Sequence, residues 1–225
     1  VKVANPGPWP RTPEEAVALQ DRLHTEVIAA NPRPPQFRTI AGLDSAYDDD
    51  GNVAAAIVIL DATTLDTVET ATARGTTAFP YVPGLLAFRE LPTTVAALEN
   101  LTVTPDLIIC DAQGLAHPRR FGFACHLGLL TGIPTLGVAK NAWGDYEEPG
   151  PDRGSSSVIT IDGDPVGRAL RTRTGVKPVF VSVGHLIDLD TACAQVLALT
   201  PEFRQPETTR RADRLCRTLL REMAQ

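Results

Sequence analysis

The sequence contains no run approaching the 18 or so apolar residues that a membrane-spanning helix needs, so no span and no membrane partner are expected. Its opening, VKVANPGPWPRTPEEA, has no apolar stretch after the lysine and does not read as an export signal. Cysteine is scarce: Cys110, Cys125, Cys193 and Cys216 form no C-x-x-C pair and no zinc-ligand spacing, which excludes a zinc ribbon or finger. With no export signal, all four are expected to be free thiols in a reducing cytoplasm, Cys110 as a buried small hydrophobe. There is no internal repeat and no low-complexity tract. Lysine is rarer still, three residues against eighteen arginines. What is present is ordinary for a folded chain: 43% hydrophobic and 21% charged residues over 225 positions. That composition supports a sizeable core and excludes a disordered or collagen-like protein. A single domain over residues 1–225, acting as a monomer, is the expectation.

The net charge of −6 does not advertise nucleic-acid binding. Its distribution is uneven, however. Residues 1–167 carry −10, whereas residues 168–225 carry +4. A basic tail on an acidic body permits contact with a phosphate backbone, and it also suits an ordinary solvated, arginine-rich helix face.

Residues 1–12 hold three prolines and read as an irregular arm. Thr12, Pro13 and Glu15 supply an N-cap, a first-turn proline and a capping-box acid. The helix they open is expected to run to about Ala30, on the apolar positions Ala16, Leu19, Leu23, Val27 and Ala30. Segments 39–47, 52–60 and 66–75, joined by short turn-prone links, read as an antiparallel meander. Segment 79–92 fits neither helical nor strand period, and 93–100 reads as a short helix. Buried strands are expected at 106–111 and 135–140, separated by a glycine-rich loop and a helix over about 121–130. That alternation implies parallel pairing. A polar loop over 141–156, a hairpin of 157–161 with 167–173, a strand at 177–185 and helices at 189–198 and 207–223 complete an α/β domain.

Asp44 ends the apolar run TIAGL and Asp111 ends LIIC, so a mixed sheet could set the two carboxylates side by side. An aspartate after a buried strand is often only a turn or helix cap. With Glu90 in the irregular segment between them, the set becomes a hard-oxygen cluster suited to Mg²⁺ or Mn²⁺ and to phosphoryl chemistry. His117-Pro118-Arg119 follows six residues after Asp111, ahead of a helix start where a phosphate would be favoured. Gly114 and Gly122 leave room for a ligand to approach the backbone. Lys140 follows the strand TLGVA and would bring a compact point charge to the same sheet edge, or be a plain exposed lysine. His126 lies inside the helix and reads as structural.

Together GLDSAY (42–47), PYVPGLLAFRE (80–90), CDAQGLAHPRRFGFACHLG (110–128) and GVAKN (137–141) resemble the endonuclease V family, the deoxyinosine 3′-endonucleases. VSVGHLIDLDTA (181–192) and QPETTRRAD (205–213) extend the resemblance to about residues 12–215. It implies an RNase H-like mixed sheet flanked by helices. It also implies Mg²⁺-dependent hydrolysis, with Mn²⁺ as substitute, of the second phosphodiester bond 3′ to deoxyinosine, leaving 3′-hydroxyl and 5′-phosphate ends. Inosine in RNA is a second substrate class that it leaves open. By the resemblance, Asp44, Asp111 and Glu90 hold metal, and His117 and Lys140 lie near the scissile phosphate. Pro80, Tyr81, Val82 and Pro83 match the strand-separating wedge, and Gly84, Leu86, Gly114, Gly122 and Gly137 the pocket for the flipped base. Asp213, where some members carry histidine, is left as a candidate for an outer, water-mediated contact to metal.

Two other readings compete. One is an RNase H-like ribonuclease or junction resolvase of other specificity, against which Tyr81 and the His117-Pro118-Arg119 loop argue. The other is a non-catalytic nucleic-acid binding module, whose signature would be a missing acid, whereas Asp44, Glu90 and Asp111 are all present.

Overall fold

The computed structural model describes residues 1–5, 7–77 and 79–223, so the expected arm is described except for Pro6. Thr12 caps α1 (Pro13–Leu23), its hydroxyl accepting from the Glu15 N–H at 3.3 Å. The helix stops well short of Ala30. A single 3-10 turn (His24–Glu26) follows, and Val27 is already extended. Tertiary bonds override the helical pattern here: the Ile28 N–H donates to His185 Nδ1 and the Leu186 N–H donates to the Ile28 carbonyl.

The meander forms as expected. β1 (Thr39–Tyr47), β2 (Asn52–Asp61) and β3 (Thr67–Thr76) pair antiparallel. The next helix, α2 (Ala87–Glu99), begins six residues earlier than the sequence suggests and carries Pro92 inside it. Proline removes one donor from the ladder, yet Ala87, Phe88, Leu91, Ala97 and Leu98 bury a face strong enough to carry the helix through. Glu90 therefore stands on the first turn of a helix, not in an irregular loop.

β4 (Leu107–Cys110) is buried on both faces and pairs parallel with β1 and with β5 (Thr135–Ala139), linked by α3 (Phe123–Thr131). The expected polar loop holds a short edge strand, β6 (Asp145–Tyr146). It lies beside the hairpin of β7 (Ser156–Ile161) and β8 (Asp164–Leu170). That hairpin turns tightly at Asp162-Gly163, both at positive φ, so Pro165 falls inside β8, opposite a bulge in β7. β9 (Val179–His185), α4 (Leu189–Ala198) and α5 (Glu207–Met223) complete the chain. Among the described residues one nine-stranded sheet runs β3-β2-β1-β4-β5-β9-β8-β7-β6. α2 and α3 cover one face; α4 and α5 cover the other. No helix among the described residues is long and apolar enough to cross a membrane.

One glycine fixes how α5 lies. A Cβ on Gly42 would collide with the backbone of Thr208 and Thr209, so only glycine lets α5 settle this close to β1. From Gly42 to Asp44 is about 6.6 Å along the strand, and from Thr208 to Asp213 about 7.5 Å along the helix. Two strand residues and five helix residues keep pace, which brings Asp213 beside Asp44. Gly42→Ala is expected to destabilise the protein by about 1–3 kcal/mol or more, because the obstacle is backbone, not a side chain that can turn away. A denaturant midpoint unchanged from wild type would show that the helix can retreat at no cost.

Candidate functional site

The three carboxylates arrive from three elements: Asp44 from β1, Asp111 from the residue after β4, and Glu90 from the first turn of α2. β1 and β4 run parallel with Leu43 opposite Cys110, so Asp44 and Asp111 leave the sheet together. Burial first, then the Asp111 charge, pushes the Asp44 carboxyl from 3.8 up to about 7. Burial, with Asp44 and Asp111, pushes Glu90 from 4.5 up to about 8. Lys140, the residue after β5, donates from Nζ to Asp111 Oδ2 at 2.5 Å. Burial works against the Lys140 charge, but the Asp111 hydrogen bond and the charges of Asp111, Asp44 and Asp213 raise its pKa overall. The Arg204 guanidinium donates to the Lys140 carbonyl at 3.1 Å and fixes its backbone. Asp213 on α5 acts on both Asp44 and Lys140 and accepts from Arg217 Nε at 2.6 Å.

These groups sense one another's charge, yet among the described residues no three His, Cys, Asp or Glu side chains close into a ready ligand cage. The donor set nonetheless suits a hard divalent cation. It is all oxygen, and its mutual repulsion is what a cation would relieve. The repulsion has a sign that can be measured. A carboxyl whose pKa is raised by folding binds more protons folded than unfolded, so stability falls as pH rises from its unfolded value through its folded one. Asp44 covers about 4 to 7 and Glu90 about 4.5 to 8. In metal-free buffer, the Tm difference between Asp44→Asn and wild type should grow in the variant's favour from pH 4 to pH 8. A flat difference would mean the two carboxyls are not under strain.

Beside the cluster is a recess of about 330 Å³ including its mouth, lined by Gly84, Leu86 and Gly122 as expected, and also by Gln20, Trp143 and His117, the last expected nearer the scissile phosphate. Gly114 and Gly137 lie behind this wall rather than in it. A Cβ on Gly137 would strike the 112–114 turn, and one on Gly114 would strike the Val183 carbonyl. Their smallness serves backbone packing. His117 stacks on Trp143, ring centroids 5.5 Å apart and 7° from parallel. Its Nε2 lies 2.9 Å from the Gly84 carbonyl, and its Nδ1 accepts from the Arg119 N–H at 3.2 Å. Burial pushes the ring down to about 4, and no cluster carboxylate is among the charges acting on it. His117 is thus a neutral wall of the recess. His126 is structural, buried against Trp9, Phe88 and Phe121.

The expected anion site at the start of α3 is partly taken: the Ala124 N–H donates to the Gln113 carbonyl and the Gly122 N–H to the Gly114 carbonyl. The loop from Pro80 to Gly84 is pinned at both ends. Arg89 donates to the Phe79 carbonyl at 2.7 Å, and the Gly84 carbonyl receives Gln20, His117 and Arg119. Pro80 and Pro83 are exposed, Val82 is half-buried, and Tyr81 at the tip is 66% exposed. Gln20 and Trp143 carry no sequence signal. One is a lone polar residue on an amphipathic helix and the other a lone aromatic in a polar loop, and only the fold turns both toward the recess.

A family model described as Endonuclease V matches residues 21–214. An endonuclease V of Nocardia farcinica is 66% identical over 218 residues, 96% of each chain. The crystal structure of the endonuclease V from Streptomyces avermitilis matches with a TM-score of 0.93 at 59% identity, over 100% of both chains. The endonuclease V of Ciona intestinalis, solved with a DNA containing an inosine followed by a ribo-adenosine, matches with a TM-score of 0.84 at 24% identity. That alignment covers 94% of this chain and 99% of the other, a likeness of fold.

Proposed function

The chain belongs to the endonuclease V family, and from that premise we propose that it cleaves the second phosphodiester bond 3′ to an inosine in DNA, leaving 3′-hydroxyl and 5′-phosphate ends. One observation carries the reading: a carboxylate cluster with a lysine stands beside a narrow recess and an exposed, pinned aromatic tip. The Ciona relative's inosine-containing DNA supports the same substrate class. Asp44, Glu90 and Asp111 would hold Mg²⁺, with Mn²⁺ as substitute and Asp213 further out. The ion supplies charge neutralisation at the phosphate and an activated water when bound.

The protein's own groups do the remainder. Lys140 carries a positive charge to the phosphate from a backbone held by Arg204. Leu86 and Ala87 line the recess at the start of α2, where helical N–H groups lack intrahelical partners, and would donate to the C6 oxygen of hypoxanthine. Adenine, with an amino group at C6, would leave those donors unpaired. His117 and Trp143 close the wall, with Gly114 and Gly137 shaping it from behind. Pro80, Tyr81, Val82 and Pro83 form the wedge that occupies the space left by an extruded base. We read the enzyme as a single-domain monomer of a reducing cytoplasm, in keeping with its four buried free cysteines. Inosine-containing RNA is a second substrate to compare.

The test is a labelled oligonucleotide carrying one inosine, incubated with Mg²⁺ beside an inosine-free control. A single cut at the second bond 3′ to inosine is expected. Equal cutting of the control, or none of either, would remove the reading.

A further inference from the structure

A groove of about 800 Å³, mouth included, lies between Ser45, Ala46 and Tyr47 of β1 and Arg217, Leu220 and Arg221 of α5. We infer that it is a track for one nucleic-acid strand running on from the carboxylate cluster, with Arg217 and Arg221 taking phosphates and Tyr47 offering a ring to a base or sugar. The inference rests on the function proposed above and extends its substrate contact beyond the lesion.

Four observations support it. β4 pairs with β1 only as far as Leu43, so, among the described residues, 44–47 pair with β2 alone and no strand covers their other edge. The groove is continuous with the cluster at both walls: Ser45 follows Asp44, and Arg217 lies one helical turn past Asp213, to which it is bonded. The strand and helix that keep pace from Gly42 and Thr208 to Asp44 and Asp213 keep pace again to Ala46 and Arg217. At the other end, Tyr47 is 39% exposed, has the Arg89 guanidinium 4.8 Å over its ring, and feels the charges of both Glu90 and Tyr81. Tyr47 therefore stands within reach of the cluster and the wedge tip as well as of the groove.

Charge selects the occupant. The body of the protein is acidic, yet α5 sets Arg210, Arg214, Arg217 and Arg221 at spacings of four, three and four along one side. Of these, Arg210 is committed to Glu207 and to the Phe203 ring. The Arg217 side chain is 65% exposed even in its ion pair, and Arg221 is exposed beside Thr218. Two reachable guanidinium groups and an exposed aromatic ring fit a phosphate-linked strand of stacked bases.

The experiment compares Arg221→Glu with Arg33→Glu. Arg33 is an exposed residue ahead of the N-terminal end of β1, at the opposite end of that strand from Asp44, and its reversal changes the net charge equally. Affinity is measured against salt for long single strands with and without inosine, and for short strands cut back beside the inosine on either side. Arg221→Glu should bind both long strands about tenfold more weakly. Its log–log salt slope should be shallower by roughly 0.7 for each phosphate that the variant leaves unneutralised. Wild type and variant should converge on one of the two shortened strands, the one that no longer reaches the groove. Arg33→Glu should follow wild type throughout. Arg221→Gln, which adds no acid to the helix C-terminus, should show a smaller loss in the same direction. Arg221→Glu matching Arg33→Glu in affinity and slope, or losing equally on every strand length, would overturn the track. Wild-type preference for inosine is read separately, so loss of that preference would strike the proposed function and leave the groove comparison on inosine-free strands intact.

Discussion

Asp111→Asn is expected to reduce cleavage by about a thousandfold or more while leaving the metal-free protein at least as stable as wild type. Asp111 is only 10% exposed at its side chain, and it holds the Lys140 ammonium at 2.5 Å while acting on both Asp44 and Glu90. Asparagine keeps the shape and removes the charge. The Asp44 carboxyl then loses the second largest cause of its upward shift and should titrate below its present value of about 7. Lys140 is half-exposed and can turn to water, so its lost partner costs little stability. Activity is another matter, because a hard anionic ligand is gone and the lysine no longer has a fixed place. Single-turnover cleavage of an inosine strand at saturating Mg²⁺, with Tm in metal-free buffer, separates the two effects. Cleavage within tenfold of wild type would remove Asp111 from the metal site. Asp44→Asn should behave alike in activity, which guards against a trivial folding loss in either variant.

The parts of this site that could be read from sequence are those delivered by buried strands. Asp44, Asp111 and Lys140 each follow an apolar run, and an apolar run in an α/β chain ends at the sheet edge where ligands meet. Glu90 was recognisable as an acid but not as a helical residue, because Pro92 reads as a breaker and only the packed apolar face of α2 overrules it. The end of α1 escapes a sequence reading for the converse reason: Val27 and Ile28 continue a helical period, but the Ile28 backbone is bonded to His185 at the end of β9 and to Leu186 just after it. Glycines mislead in a third way. Gly114, Gly122 and Gly137 all signal close approach, yet sequence cannot say whether the approaching body is a ligand or the chain itself. For all three it is the chain, Gly122 meeting the Gln113 backbone even though it also lines the recess. Gln20 and Trp143 show what remains hidden, since each becomes part of the recess only through residues far away in sequence.

Tyr81→Ala should weaken binding of inosine in a duplex by about tenfold to a hundredfold, with little change in stability. Stacking on an aromatic ring contributes roughly 1–3 kcal/mol per base, and about 1.4 kcal/mol is a factor of ten. The structure explains why the effect should be confined to recognition. Tyr81 is 66% exposed and gives up almost no packing. Its loop is held from outside the tip, by Arg89 on the Phe79 carbonyl and by Gln20, His117 and Arg119 on the Gly84 carbonyl. Removing the ring therefore leaves the loop in place, and Tm should move by no more than a surface substitution allows. A duplex has neighbouring bases to hold apart, so it should lose more affinity than a single strand, where less stacking is broken. At saturating enzyme the single-turnover rate should return most of the way to wild type, because Tyr81 carries neither metal nor proton. The measurement is affinity and single-turnover rate for both substrates. If Tyr81→Ala at saturation is as inactive as Asp111→Asn, the ring takes part in the chemical step and the wedge role is wrong.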